Sequence, residues 1–421
     1  MNGEWTPGRL ADFADVLMGT SPPGETTNET GMGTPLLNGP TEFTSHAPVA
    51  VQYTTSPVKL CEPGDILFCV RGSTTGRMNW ADRQYAIGRG LAAIRHRNGN
   101  KYQPYVRAVI EYALPSLLAV STGSTFPSVS RTDIENVKVA IPPLREQQAI
   151  ACSLGALDDK IELNRRRNRT LEAMARAIFQ SWFVDFDPVK AKAAGRTPPG
   201  LSPELAALFP DRFEDSPLGP IPAGWRVGNL GEVAKNPRRG IGAEAIKSGT
   251  PYIALEHMPR RSIALSDWTT ADAIESNKFE FRRGEILFGK LRPYFHKVGI
   301  APVDGVCSTD ILVIVPKQPE WFGFCAEHFS SDAIIQHCDR TSTGTKMPRT
   351  NWNDLARFVV AIPQREVAEA FTKQFKPIID RIHQGIQESR TLAALRDALL
   401  PKLISGELRV PDAERIVGRI L

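Results

Sequence analysis

Two stretches of the chain carry apolar residues at alternating steps of three and four. In the first, Ile150, Leu154, Leu157, Ile161, Asn164, Asn168, Leu171, Met174 and Ile178 follow at steps of 4, 3, 4, 3, 4, 3, 3 and 4. In the second, Phe371, Phe375, Ile378, Ile382, Gly385, Ser389, Leu392, Leu395 and Leu399 repeat those steps. This is close to coiled-coil spacing. Each stretch follows a proline, Pro143 or Pro363, which is a helix-start signal. The pattern predicts two helices of about 40 residues, each roughly 60 Å long at about 1.5 Å per residue. The middle of each seam is polar or small: Asn164 and Asn168 in one, Gly385 and Ser389 in the other. Polar layers in a helical seam fix register at some expense in stability.

Ahead of each helix lies about 140 residues of a different pattern. Short apolar runs at Asp65–Val70, Val137–Ile141, Glu285–Phe288, Ile311–Val315 and Phe358–Ile362 read as strands. Gly- and Ser/Thr-rich loops separate them, including Arg71–Arg77, Ser121–Thr125 and Thr341–Lys346. The expectation is α+β. Asp185–Gly224 is rich in Pro, Gly and Ala and reads as an irregular connector with a short helix near Pro203–Leu208.

The chain is also an internal duplication. W-T-P-G-R-L at Trp5 meets W-R-V-G-N-L at Trp225, 220 positions later. P-G-D-I-L-F at Pro63 meets R-G-E-I-L-F at Arg283, again at 220. S-T-G at Ser121, A-I-P at Ala140, Arg145-Glu146 and R-T-L at Arg169 meet counterparts at Ser342, Ala361, Arg365-Glu366 and Arg390, now at 220 or 221. A period this long is not a solenoid repeat, whose unit is roughly 20–50 residues; it is a whole module copied once. The modules divide as mixed domain 1–142, helix 143–184, connector 185–224, mixed domain 225–363, helix 364–405 and tail 406–421.

Composition narrows the partner. The 421 residues carry a net charge of +5, with a pI near 8.8. That permits nucleic acid but requires any contact to be local, through a few aimed Arg and Lys. Six cysteines without a C-x-x-C pair read as reduced thiols in the cytoplasm. No signal-peptide pattern and no run of about 18 apolar residues is present, so no membrane role is expected.

Several runs resemble the specificity subunits of type I restriction-modification systems. They are A-I-P-P-L-R-E-Q-Q-A-I at Ala140–Ile150, S-W-F-V-D-F-D-P at Ser181–Pro188, P-P-G-L-S-P-E-L-A-A-L-F-P at Pro198–Pro210, G-P-I-P-A-G-W at Gly219–Trp225 and L-L-P-K-L-I-S-G-E-L at Leu399–Leu408. The resemblance spans essentially the whole chain. It implies two target-recognition domains separated by two long antiparallel coiled-coil helices, each domain reading one half of a split site in double-stranded DNA. It implies two methyltransferase subunits as partners, which carry S-adenosylmethionine, and motor-nuclease subunits beyond them. It implies no catalysis and no cofactor in this chain.

The residues themselves offer little chemistry. Pro-Pro occurs only as S-P-P-G, I-P-P-L and T-P-P-G, without the flanking Asn/Asp and aromatic residue of an adenine methyltransferase loop. No phosphate-binding G-x-x-x-x-G-K-[ST] is present. Asp158-Asp159-Lys160 sits on the seam helix and reads as a solvated face rather than a nuclease element. Cys325, His328, His337 and Cys338 lack finger spacing and read as ordinary core and polar residues rather than a zinc site. The candidates for DNA contact are loop residues with hydrogen-bonding side chains. They are Arg71, Ser73, Thr74 and Arg77 after the D-I-L-F strand, and Lys290, Arg292 and Tyr294 after the E-I-L-F strand. Ser124 and Thr125 in one S-T-G loop, with Thr345 and Lys346 in the other, complete the set. A plain surface role competes for each. The basic run Asn164–Arg169 has no basic counterpart at Gly385–Arg390 and reads as a solvated face or a partner contact. Trp182, Phe183 and Phe186 read as helix-end packing, with partner contact as the alternative. Two other functions stay open at this stage: an enzyme with an undetected site, and a DNA-binding regulator acting alone.

Overall fold

The computed structural model describes residues 5–44, 46–121, 128–272, 274–342 and 347–418. Its contacts separate into two compact units. Unit one joins Met1–Glu162 to Thr391–Leu421, and unit two is Leu163–Arg390. The protein is α+β, with two sheet-rich domains and two long helices, Leu144–Phe179 (36 residues) and Arg365–Ser405 (41 residues). Gln180–Val184 continues the first helix as a π turn.

The duplication is a duplication of topology. In unit one a four-stranded antiparallel sheet has the order Ala14–Met18, Leu91–His96, Ile66–Cys69, Met78–Trp80. In unit two the order is Ala234–Lys235, Ile311–Pro316, Ile286–Gly289, Val298–Ile300. Register is preserved as well: Ile94 faces Ile66 as Ile314 faces Ile286. The central strands Ile66–Cys69 and Ile286–Gly289 are buried throughout, which is why they read as unbroken apolar runs. Each unit adds a two-stranded ribbon, Thr6–Arg9 with Lys138–Ile141 and Arg226–Asn229 with Val359–Ile362. Each also has a five-stranded sheet containing one parallel pair, Leu36 beside Ala86 in one and Tyr252 beside Val306 in the other. That third sheet is built from strands of two to four residues.

Within each unit, half of each long helix joins the domain core. Ile150, Leu154, Leu157 and Ile161 pack in one cluster with Leu392, Leu399, Leu400 and Leu403, and with Val16, Ile94 and Tyr105 of the first domain. In unit two, Phe179 and Phe183 share a core with Phe371, Phe375, Ile379, Ile382 and Ile386, and with Phe324 and Ile314. The helix halves of unit two run antiparallel, because Asn164 meets Glu388 while Phe179 meets Phe371.

The seam departs from the spaced pattern in places. Asn164, Asn168 and Leu392 are buried, and Leu171, Ile178 and Leu395 are half-buried. Met174 is 51% exposed. Ile378 is only half-buried, and Ile379 and Ile386, off the spaced pattern, are buried beside Phe375 and Ile382. A straight helix of 3.6 residues per turn drifts off a 3.5-residue seam, and a helix that also covers a domain buries a wider stripe. Elements absent from the sequence reading include the helices Gln103–Ser121, Phe322–Phe329 and Asp332–Thr341, the connector helix Asp187–Ala193, and the helix Val410–Val417 in the expected tail. The short connector helix stands at Pro203–Ala207, capped by the Ser202 hydroxyl.

Candidate nucleic-acid interface

The first candidate loop leaves the buried strand Ile66–Cys69 and returns as Met78–Trp80. Two glycines with left-handed backbone, Gly72 (φ 85°) and Gly76 (φ 91°), turn the chain. The Gly76 amide donates to the Cys69 carbonyl at 2.9 Å, and the Cys69 amide donates to the Arg77 carbonyl at 2.8 Å. The Thr75 hydroxyl closes the turn on the Gly72 carbonyl at 2.7 Å. The result is a tight loop on which Arg71, Ser73 and Arg77 are exposed and Thr74 is half-buried.

The second loop runs from Ile286–Gly289 to Val298–Ile300. Its left-handed residues are Arg292 (φ 49°) and His296 (φ 50°), which stand 220 positions after Gly72 and Gly76. The backbone path is therefore kept, although both glycines are replaced. A left-handed conformation at a residue with a Cβ costs roughly 1–2 kcal/mol. His296 is secured there by burial and by its Nε2 contact to the Ser330 carbonyl at 2.8 Å. Burial also holds its imidazole below the usual histidine range. Lys290 and Arg292 are half-buried, and Tyr294 is 48% exposed.

In both units the segment following the S-T-G run enters beside that unit's candidate loop. Arg71 bridges Ser128 and Leu291 bridges Arg349, both antiparallel. The Val129 amide donates to the Val70 carbonyl as the Thr350 amide donates to the Lys290 carbonyl. Ser124, Thr125, Thr345 and Lys346 lie outside the described residues. The sequence reading missed exposed Arg349, whose guanidinium lies 3.5 Å from Asp310, and exposed Arg260, stacked 4.2 Å from the Phe295 ring. Arg349 directly follows the S-T-G-T-K-M-P run, so its position in the repeat was a usable signal; Arg260 had none. Lys297 is half-buried, and burial together with Arg260 lowers its pKa.

This array is a set of hydrogen-bond donors on turns fixed by sheet strands. Among the described residues no group of three or more His, Cys, Asp or Glu is placed to hold a metal. Cys325 and His328 are buried among core aromatics, with His328 edge-on to Phe179 and Phe324. Asp158 is not on a merely solvated face: its carboxylate pairs with Arg396 Nη1 at 2.6 Å, from the other long helix. Burial opposes the Arg396 charge, but Asp158 and Asp397 outweigh it and hold its pKa above the ordinary value. Trp182 and Phe183 are packed against Phe209, Phe371 and Phe324, while Phe186 packs on Trp225.

The structure is thus a twice-built mixed domain with a polar loop in each copy, joined to long helices. The model for the type I restriction modification DNA specificity domain matches residues 2–173. The MjaIX specificity subunit of Methanocaldococcus jannaschii is 25% identical over 97% of this chain and 94% of its own length. The HindI specificity subunit of Haemophilus influenzae is 25% identical over 69% of this chain and 73% of its own. The putative MjaX specificity subunit reaches 36% identity over a shorter stretch, 39% of each chain. The crystal structure of the type I system S subunit from M. genitalium shares the fold, with a TM-score of 0.56 at 16% identity, covering 96% of this chain and 97% of that one. Over nearly its whole length the chain is similar to type I restriction-modification specificity subunits. Among the described residues no helix is long and apolar enough to cross a membrane.

Proposed function

We propose that this chain reads a split site in double-stranded DNA, one half with the 1–142 domain and the other with the 225–363 domain. The helices 143–184 and 364–405 act as the spacer. Two methyltransferase subunits carrying S-adenosylmethionine dock on the chain and modify adenine, and motor-nuclease subunits complete the restriction complex. The chain contributes recognition and no bond-breaking step, and it works in the cytoplasm, where six free cysteines are at home.

One observation carries the reading: the two units repeat the loop path while changing what the loop displays. Arg71, Ser73, Thr74 and Arg77 become Leu291, Pro293, Tyr294 and Lys297 at the same offset. Two readers of unlike half-sites need a common scaffold and different side chains on it. Arg292 supports this further, because a strained backbone kept at a polar surface residue points to a use for that side chain.

The test is a map of methylated adenines across the host genome with the gene intact and deleted. Loss of one motif, two short halves around a fixed gap, is expected. An unchanged map overturns the proposal and favours a regulator that binds DNA without a methyltransferase. Methyl transfer by the purified chain alone favours an enzyme.

A further inference from the structure

In unit two the segment from Ser262 to Trp268 lies along the edge of the four-stranded sheet. The Ile300 amide donates to the Ile263 carbonyl at 3.0 Å, and Ala264 bridges Ile300 in parallel. Ile263 and Leu265 are buried, one in each core of the unit. Both long helices grip this segment. From the first, Glu172 receives the Ser262 hydroxyl at 2.8 Å, the Ile263 amide at 3.1 Å and the Ala264 amide at 3.2 Å. From the second, the Arg390 guanidinium lies 3.7 Å from the centre of the Trp268 ring, with Nη1 3.4 Å from the Ser266 carbonyl.

Glu172 is 6% exposed. Burial pushes its pKa up, while the three donors and Arg176 pull it back. A carboxyl group this deep, with its oxygens engaged by backbone, fixes a direction as well as a distance. The arrangement is not duplicated. The repeat aligns R-T-L-E at Arg169–Glu172 with R-T-L-A at Arg390–Ala393. In unit one the matching edge segment forms the same backbone bond, the Trp80 amide donating to the His46 carbonyl at 3.0 Å. Ala393 has no side chain that could accept from it.

We propose that Glu172 and Arg390 are positioning residues: they lock the edge of the second recognition domain onto the helix pair, and so fix the DNA gap at which its loops can read. This rests on the function proposed above. Neither residue touches a base. Each acts through the Ser262–Trp268 edge, the neighbouring Val298–Ile300 strand and the 290–297 loop that this strand closes.

The test uses the complete methyltransferase complex on DNA carrying both half-sites at the native gap, and at gaps one and two base pairs shorter and longer. Wild type should methylate one gap. Glu172→Ala and Arg390→Ala should each raise methylation at the neighbouring gaps by about tenfold relative to the native gap, the scale of one lost buried hydrogen bond. Both half-site sequences should stay required. Glu172→Gln, which keeps an acceptor, should stay near wild type. Should Glu172→Ala fail to fold, Arg390→Ala decides alone, because Arg390 is only half-buried. Variants that keep the wild-type gap and only melt earlier overturn the inference. Wild type that methylates no split site at all overturns the function beneath it instead.

Discussion

The two asparagines in the first helix should respond to leucine with opposite signs. Asn164 is fully buried and uses both ends of its amide. Its Nδ2 donates to Glu388 Oε2 at 3.0 Å, and its Oδ1 accepts from Arg167 Nη2 at 2.9 Å. Asn168, equally interior, has only a long contact from Nδ2 to the Ile382 carbonyl at 3.5 Å, and its Oδ1 is a buried acceptor without a partner. Opposite it stands Gly385, where an added Cβ would lie 2.9 Å from that oxygen, so the amide already fills the notch the glycine leaves. Leucine branches at the same carbon as asparagine. Asn168→Leu removes an unsatisfied acceptor, worth about 1–3 kcal/mol, and adds buried apolar surface of about 1.5–3 kcal/mol. Against this stand a weak hydrogen bond and the overpacking of a larger side chain, about 1–3 kcal/mol. The balance is a gain of about 1–2 kcal/mol, or roughly 2–8 °C in Tm for a unit of this size. Asn164→Leu instead breaks two charge-assisted bonds and should lose about 1–3 kcal/mol. Calorimetric melting near neutral pH, backed by urea midpoints, measures both. A drop in Tm for Asn168→Leu, or shifts of one sign in both variants, refutes the reasoning.

Four other outcomes follow from the same structure. Arg292→Gly relieves the left-handed strain, so the fold should hold or gain up to about 1 kcal/mol, while selection from randomised DNA should show the second half-site relaxed and the first intact; equal loss at both halves counts against the assignment. Gly76→Ala should destabilise unit one by about 1–3 kcal/mol, because its φ is 91° and the new Cβ would meet Leu114 Cδ1 at 2.8 Å; an unchanged melting curve contradicts this. Burial pushes the His383 pKa down to about 4 and that of Glu327 up to about 8. Below 6.5 the unfolded chain binds a proton that folded His383 refuses, so its contribution is whole above 6.5 and lost towards 4; His383→Leu should therefore gain on wild type as pH falls through that window. Glu327 has the opposite slope: between 4.5 and 8 the folded state holds a proton the unfolded chain releases, so the advantage of Glu327→Gln should grow as pH rises, and flat difference curves in pH-dependent melting refute both assignments.

How far the sequence reveals this molecule depends on the length over which each signal is averaged. The long helices are legible because nine seam positions agree, and the central strands because four consecutive buried residues leave an apolar run. The five-stranded sheets are not, because a strand such as Leu60–Cys61 is too short to show any period. The shift from Ile378 to Ile379 was hidden for another reason: that face of the helix is chosen by Phe324 and its neighbours in the domain, not by a partner helix alone. Glu172 was illegible since its donors lie 90 to 92 positions away in the chain. The mismatch with Ala393 was nonetheless visible, and mismatches are where a duplicated chain is most informative. Agreement between copies, as at Ile66 and Ile286, follows from building the same sheet twice. Disagreement has to be consistent with that sheet, and the loops show how narrow the allowance is. Glycine can adopt the left-handed turn at 72 and 76 almost without strain, so any side chain at 292 or 296 is held there against a backbone preference. His296 is held by burial and by Ser330. The Arg292 backbone is held by its amide on the Pro348 carbonyl at 2.8 Å, but its side chain has only a ring 5.9 Å away and a buried Nε without a partner. A side chain left that poorly satisfied is free to be taken up by a partner arriving from outside, which is the contact the proposed DNA reading assigns to this loop.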